Sequence, residues 1–255
     1  EDTGWNQQQR VSLNIRHPCE KFVLRAENEW PLARTQWTKF YLQPEALELG
    51  TTAPAAVKTL SYETTGDGIT FRLPVSTSSL EVTGPVAAKL WVSSETTDAD
   101  LFLALRLFDP DGKEVTFIGS NDPRVPVGLG WLRASHRKID PEHSLPYRPW
   151  HPHDEVQALT PGVPVELDIE ILPTSIVVPP GYQLALTVRG KDYEVDGRDV
   201  ALPNALYPMK GVGPFLHIDN DDRPAKIFAT RNTLHFAKGQ EPHVLLPVIP
   251  QTQAS

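Results

Sequence analysis

Cysteine is nearly absent from this sequence: Cys19 is the single one among 255 residues. One cysteine cannot form an intramolecular disulfide, so the composition gives no indication of an oxidising compartment. Basic residues are also in deficit, with 24 Lys and Arg against 32 Asp and Glu. The resulting net charge of −8, with no basic cluster along the chain, argues against a nucleic-acid partner.

Long apolar runs are missing as well. No stretch approaches the roughly 18 consecutive apolar residues that a membrane-spanning helix needs, so the sequence predicts no membrane partner. The first ten residues, EDTGWNQQQR, contain neither an initiator methionine nor a signal peptide. We therefore expect a piece of a longer protein in a cytoplasmic location. Assembly into a homo-oligomer stays open.

Proline and alternating apolar residues are what the sequence does contain. Twenty-five prolines separate short apolar runs, which breaks helices and favours many strands joined by loops. Residues 80–112 are interpreted as a core hairpin, because leucines at every second position from Leu101 to Leu107 line one face of its second strand. With roughly ten strands, few helices and long loops, the pattern predicts an all-β protein, a β-sandwich of the jelly-roll type.

The first part of the chain differs from the remainder. Three of the six tryptophans, Trp5, Trp30 and Trp37, fall within it without a periodic apolar pattern around them. Tryptophans of this kind either pack on the sandwich or contact a neighbouring domain. We expect residues 1–56 to form a linker and N-terminal extension and residues 57–255 to form the jelly-roll domain.

Several stretches, in order along the chain, resemble a known family. They are VTGPVAAKLWVSSETTDADLFLALRLFDPDGK, GWLRASHRKID, LPTSIVVPPGYQLALTV, and RNTLHF followed by HVLLPVIP. Together they resemble the C-terminal non-catalytic domain of X-Pro dipeptidyl-peptidases and of cocaine-esterase-like (CocE/NonD) hydrolases. ENEWPLARTQWTKFYL resembles the segment that joins that domain to the catalytic one. The resemblance implies a galactose-binding-like jelly roll preceded by a serine α/β-hydrolase domain.

Catalytic residues are not evident in this chain. A serine α/β-hydrolase needs a G-x-S-x-G turn, followed by an acid and a histidine. The nearest approach, Gly119-Ser120, lacks both flanking glycines in register. In the family that the chain resembles, the whole triad lies upstream of the matched region. We therefore predict that the chain alone is non-catalytic, with no catalytic, cofactor-binding or metal-binding residues, and that its parent is a dipeptidyl-peptidase or esterase.

Two short stretches carry the residue types of metal sites. Residues 150–154, WHPHD, offer two imidazoles and a carboxylate that could bind zinc, but no third ligand has a recognisable spacing. Residues 217–222, HIDNDD, are rich in oxygen ligands, yet they lack the glycine and terminal glutamate of an EF-hand loop. A structural loop and a solvated turn are the preferred interpretations, with calcium binding at residues 219–222 left open.

Other polar residues are better explained by a structural role than by a catalytic or ligand-binding role. Asp98 and Asp100 occupy a connector between strands, where carboxylates usually accept backbone N–H groups. His136 shares a predicted strand face with Leu132, which favours a hydrogen-bonded core histidine. Arg133 and Arg137 lie on the opposite face, where we expect them to pair with carboxylates across the sandwich; binding of a substrate anion is the weaker alternative.

The loop over residues 138–154 interrupts the strand rhythm with four prolines and carries several aromatic and histidine side chains. Such a loop keeps a fixed shape without ladder hydrogen bonds, which suits a wall against a partner domain or substrate. A self-packed surface loop explains it equally well. The candidate residues for a domain interface or substrate wall are Trp30, Trp37, Tyr147, Trp150, His151 and His153.

Two functional classes follow. The first is an accessory domain of a serine hydrolase, whose partners are the upstream α/β-hydrolase domain and the parent's small-molecule or peptide substrate. The second is a free-standing carbohydrate- or ligand-binding jelly roll. A carbohydrate module is expected to expose a row of aromatics on one face, whereas Trp91, Phe102 and Phe108 lie within apolar strands. The sequence therefore favours the accessory domain.

Overall fold

The computed structural model describes residues 3–55, 57–119, 124–194 and 216–250. Within these ranges the secondary structure consists almost entirely of strands, so the all-β prediction is confirmed. No helix among the described residues is long and apolar enough to cross a bilayer. The strands are β1 Val11–His17, β2 Lys21–Glu27, β3 Gln36–Gln43, β4 Glu48–Gly50, β5 Lys58–Glu63, β6 Ile69–Arg72, β7 Leu80–Ser94, β8 Asp100–Phe108, β9 Glu114–Val115, β10 Gly128–Arg133, β11 Val165–Val178, β12 Gln183–Arg189, β13 Arg231–Phe236 and β14 His243–Ile249. The helical segments are 3₁₀ turns at Trp5–Gln7 and Ala134–His136 and a single α-helical turn, α1, at Ala225–Phe228.

The sheet closes on itself. Strand β11 pairs with β10 on one side and with β7 on the other, and the path between them runs through β8, β12, β6, β4, β3 and β14. Each strand on this path has a hydrogen-bonded neighbour on both sides, which protects its edges. The β1–β2 pair attaches to β11, and β13 with β5 attaches to β7. The result is a closed, sandwich-like sheet, and its specific assignment as a galactose-binding-like jelly roll remains a prediction.

The core lies inside this closed sheet. Alternate residues of β8, among them Leu103 and Leu105, are fully buried and meet alternate residues of β11 and β12. On those two strands Ile169 and Leu186 are also fully buried. Because successive side chains of a strand point to opposite faces, the intervening residues point away from this core, towards the outer face of the sheet. The outward residues of β8, β10 and β11 build the candidate site described below.

The core hairpin predicted over residues 80–112 is wrong in its pairing. Both strands exist, as β7 and β8, but β7 pairs with β11, β14 and β13, while β8 pairs with β10, β12 and β9. The period-two pattern defines which face of a strand is buried and does not define which strand lies beside it. The connector at residues 95–99 therefore crosses between two walls of the closed sheet.

The strand expected over residues 130–137 ends early, at Arg133. The chain then turns through the 3₁₀ segment Ala134–His136, because Asp98 accepts hydrogen bonds from the backbone N–H and the hydroxyl of Ser135, at 3.0 and 2.6 Å. The structural role predicted for Asp98 is thereby confirmed. His136 consequently lies half-exposed beside the loop that follows, so its prediction as a core histidine is wrong.

The segment predicted as linker supplies strands β1 to β4. Of these, β3 runs between β14 and β4 within the closed path, pairing Phe40 with Val244. The boundary at residues 56 and 57 stays a proposal.

Candidate functional site

The floor of the candidate site is the outward face of β8, β10 and β11. The antiparallel register places Trp131 opposite Phe102, and the pairing of Gly130 with Ile171 places Trp131 beside Glu170. Side chains that are paired across neighbouring strands lie about 5 Å apart on one face. The floor is therefore a row made of two aromatic rings and one carboxylate, at the bottom of a cleft of about 680 Å³.

Two chain segments form the walls of this cleft. One wall consists of residues 149–153 together with His136, and the other is formed by His217 and Arg223. Trp131 and Trp150 stand 41% and 48% exposed. Large aromatic side chains that stay this accessible on a concave surface are typical of a binding surface.

An ion-pair network fixes the second wall to the floor. The buried Asp100 carboxylate accepts hydrogen bonds from Arg133 Nε at 2.8 Å and from Arg223 Nε at 2.7 Å. Arg133 also donates to both carboxylate oxygens of Asp222, each at 2.9 Å. Two guanidinium groups offset the desolvation of one buried carboxylate, and the hydrogen bond that Arg133 donates to Asp100 raises the pKa of Arg133.

This network explains two of the polar groups noted in the sequence. Arg133 pairs with carboxylates as predicted, whereas Arg137 donates instead to the backbone carbonyls of Ala134 and Gln157. Both carboxylate oxygens of Asp222 are engaged by Arg133, and the hydrogen bond from Arg133 lowers the pKa of Asp222. Among the described residues, no three His, Cys, Asp or Glu side chains gather in a metal-binding arrangement.

The first wall is anchored by three of the predicted residues. His151 places Nδ1 3.0 Å from the carbonyl oxygen of Lys138 and Nε2 2.9 Å from that of Asp168, which ties the loop to β11. Behind the loop, the rings of Trp37 and Tyr147 stack with centroids 4.3 Å apart and planes within 7°. These contacts give the loop a fixed position relative to the floor.

His153 stands at the mouth of the cleft in a strained backbone conformation. Its φ of 53° lies in the left-handed region, which costs a residue with a side chain of order 1–3 kcal/mol and is concentrated at functional sites. Its Nδ1 lies 3.1 Å from Nδ1 of His136, so one ring donates to the other. Burial, together with the neighbouring His136 and His151, lowers the pKa of His153.

Glu170 is the polar group on the floor that lacks a partner of its own. No hydrogen bond or ion pair reaches its carboxylate from the part of the chain that the structure describes, and desolvation raises its pKa. Together with two tryptophans and four histidines, Glu170 gives the cleft both apolar and polar groups for binding. Among the described residues, the lining contains no serine, threonine or cysteine that a base could activate. Ser120 lies outside the described residues.

The six predicted residues fall into three groups. Trp150, His151 and His153 line the cleft, and Trp37 and Tyr147 support its loop from behind. Trp30 lies in a neighbouring groove of about 450 Å³ that it shares with Leu129 and Leu172, the outward residues that continue β10 and β11 beyond the floor. Sequence reasoning missed Trp131 and Glu170, although the alternation around each of them placed both on outward faces.

Comparison with known proteins gives a family match and several similar structures. The model of the family described as "X-Pro dipeptidyl-peptidase C-terminal non-catalytic domain" matches residues 3–245. The chain is 32% identical over 118 residues to "Putative serine esterase Mb1866c" of Mycobacterium bovis, covering 44% of this chain and 17% of the relative. A Mycobacterium tuberculosis relative, "Putative serine esterase MT1883", matches with the same identity and coverage.

Among solved structures, a CocE/NonD family hydrolase from Staphylococcus aureus superimposes with a TM-score of 0.83 at 24% identity, covering 98% of this chain and 43% of that one. An aminopeptidase from a Thaumarchaeota archaeon gives a TM-score of 0.65 at 13% identity, with the same coverages. An α-amino acid ester hydrolase gives 0.57 at 15% identity, covering 89% of this chain and 39% of that one. These likenesses show the fold, and the chain spans less than half of each of these proteins.

Proposed function

Because the chain belongs to the X-Pro dipeptidyl-peptidase C-terminal non-catalytic domain family, we propose that it is the accessory domain of a serine hydrolase and that its tryptophan-lined cleft faces the catalytic domain. The exposure of Trp131 and Trp150 on one concave face carries this proposal. Tryptophan is enriched where protein surfaces bind each other, because a large apolar ring leaves water on contact.

The exposed apolar surface extends beyond the cleft. Leu172, at 53% exposed, follows Glu170 on the outward side of β11, and Trp30, at 39%, lies in the groove beside it. The strip from Trp150 through Trp131 to Leu172 and Trp30 joins two of the residues predicted for an interface. An apolar strip of this extent is typical of a surface that is covered in the functional protein.

We propose as its partner an α/β-hydrolase domain that precedes this region in the same protein, with residues 1–56 forming the connection. The cleft would then form one wall of that domain's active site, with Trp150 and His153 next to the substrate. The substrate class is an ester, an amide or an N-terminal X-Pro peptide. The family description supports the peptide, and the relatives named as esterases support the ester.

Kinetics of the full-length protein test this assignment. Trp150→Ala and His153→Ala should raise KM several-fold or weaken the contact between the domains, because both side chains are exposed at the proposed wall. The melting temperature of the isolated chain should change little, since Trp150 is about half exposed. Val156→Ala is the matched control, because Val156 is 70% exposed and lies outside the cleft lining.

A purely structural loop would give the opposite pattern. The isolated chain would lose several kcal/mol of stability on substitution of Trp150, and the kinetic constants per folded molecule would be untouched. That result would overturn the assignment of the cleft as an active-site wall.

Carbohydrate binding is the second candidate, and the exposure of Trp131 and Trp150 also favours it, because aromatic rings stack on sugars. Titration of the isolated chain with galactose and with neutral oligosaccharides, followed by tryptophan fluorescence, separates the two. Saturable quenching that disappears in Trp131→Ala would support a sugar-binding module. The accessory-domain proposal expects no saturable change.

A further inference from the structure

Arg189, the last residue of β12, holds a buried positive charge for which the described residues supply no hydrogen-bonded anion. Its side chain is only 7% exposed, and its Nε has no hydrogen-bond acceptor in the part of the chain that the structure describes. It lines a second cleft, of about 720 Å³, on the outward side of β12 and β8. A buried guanidinium is stable only when an anion or several acceptors compensate its desolvation.

The neighbouring cation shows what such compensation looks like. Arg106 donates through Nε and Nη2 to both carboxylate oxygens of Glu114, with Nε at 2.8 Å. Tyr193 donates its hydroxyl proton to the same carboxylate at 2.5 Å. Glu114 is therefore fully engaged by Arg106 and Tyr193, and Arg189 faces the ring of Tyr193 at 5.8 Å.

The described carboxylates around Arg189 do not compensate its buried positive charge. Within the described residues its closest carboxylate belongs to Asp67, which is 99% exposed and 3.6 Å from Nη2, beyond hydrogen-bonding distance. Glu194 attracts it only through space. Two other acids that line the cleft have partners elsewhere: Asp109 accepts the backbone N–H groups of its own turn, and Glu20 accepts that of Ile118. Burial lowers the pKa of Arg189, as expected for a charge that is poorly compensated.

We propose that this second cleft binds a small oxyanion, a carboxylate or a phosphate group, on the guanidinium of Arg189. A guanidinium presents paired donors whose spacing matches two oxygens of either group. The volume of the cleft accommodates a ligand larger than the anion itself, so the bound group can be the end of a peptide or of a phosphorylated small molecule. This proposal is independent of the accessory-domain function.

Titration of the chain with inorganic phosphate, and separately with acetate, against chloride at matched ionic strength tests the proposal. In nitrogen-15 spectra, the Nε–H resonance of Arg189 should shift saturably with at least one of the two anions, because that proton reports on the guanidinium. Binding of both identifies a general oxyanion site. Binding of acetate alone identifies a carboxylate site, and binding of phosphate alone identifies a phosphate site.

Substitutions then assign the site. Arg189→Gln should weaken anion binding, measured by calorimetry, by at least about tenfold, since removing one partner of a buried charge pair costs this much or more. Arg231→Gln, an exposed arginine that pairs with Glu63, is the control and should bind as the unchanged chain does. Arg189→Lys retains the charge with a different geometry and provides the comparison if the glutamine variant does not fold.

Two results would overturn the proposal. One is the absence of a saturable shift of the Arg189 resonance with either anion in the unchanged chain. The other is anion affinity that stays the same in Arg189→Gln or, failing that, in Arg189→Lys.

Discussion

At the scale of single residues, polar side chains decide where elements end and where charge is tolerated. Asp98 accepts the backbone N–H of Ala99 as well as both donors of Ser135, and it thereby ends β10 before His136. The residue type and the position in a connector were enough to predict a structural role. The partner at Ser135 could not be predicted, because it lies 37 positions away in the chain.

His243 shows how burial of a titratable ring makes stability depend on pH. It is 8% exposed, and its Nδ1 lies 2.9 Å from the backbone carbonyl oxygen of Glu241. Burial lowers the pKa of His243 in the folded chain, so the unfolded chain takes up this proton more readily. Above the pKa of a histidine in the unfolded chain, about 6.5, neither state is protonated at this ring and stability does not depend on it. As the pH falls below that value towards the folded pKa, the unfolded chain binds the proton first, so the free energy of unfolding decreases.

We therefore expect the urea midpoint to fall between pH 7 and pH 5, and His243→Gln to reduce that fall. His143→Gln is the control, because the side chain of His143 is 63% exposed. The account of His243 would be contradicted if its substitution left the pH dependence as steep as in the unchanged chain.

At the scale of elements, the buried faces of strands were predictable and their neighbours were not. The leucines of β8 and the alternating residues of β11 point into the core as the period-two pattern predicts. The same pattern could not show that β7 and β8 lie in different walls, because face periodicity is identical for any pairing partner. Trp131 was missed for the same reason: its exposure depends on which segments flank β10.

The inside and outside of these strands can be checked by substitution. Leu186→Ala on β12 should lower the free energy of unfolding by about 2–5 kcal/mol, because Leu186 is fully buried in the core. Glu166→Ala on the outer face of β11 should change it by less than about 1 kcal/mol, since the Glu166 side chain is 51% exposed and solvent screens its ion pair with Lys89. Denaturant melts that ranked the two variants in the reverse order would contradict the assignment of faces.

At the scale of the whole molecule, the closed sheet carries a concave outer surface whose exposed tryptophans do not take part in packing the core. The ion-pair network around Asp100 and the stack of Trp37 on Tyr147 both hold the walls of the tryptophan-lined cleft in place. Rigid walls around exposed rings reduce the entropy lost when a partner binds. The sequence indicated the loop and three of the cleft residues, but the cleft itself is created by the long-range contacts of residues 217–223.

The most direct test of the account compares the exposure of Trp131 and Trp150 in the isolated chain with their exposure in the full-length protein. Hydroxyl-radical footprinting measures this for each tryptophan separately, with the 70% exposed Val156, outside the cleft lining, as an internal reference. If the cleft faces a catalytic domain, both tryptophans should be oxidised readily in the isolated chain and protected several-fold in the full-length protein. Equal oxidation of Trp131 and Trp150 in the two proteins would contradict the proposed docking face.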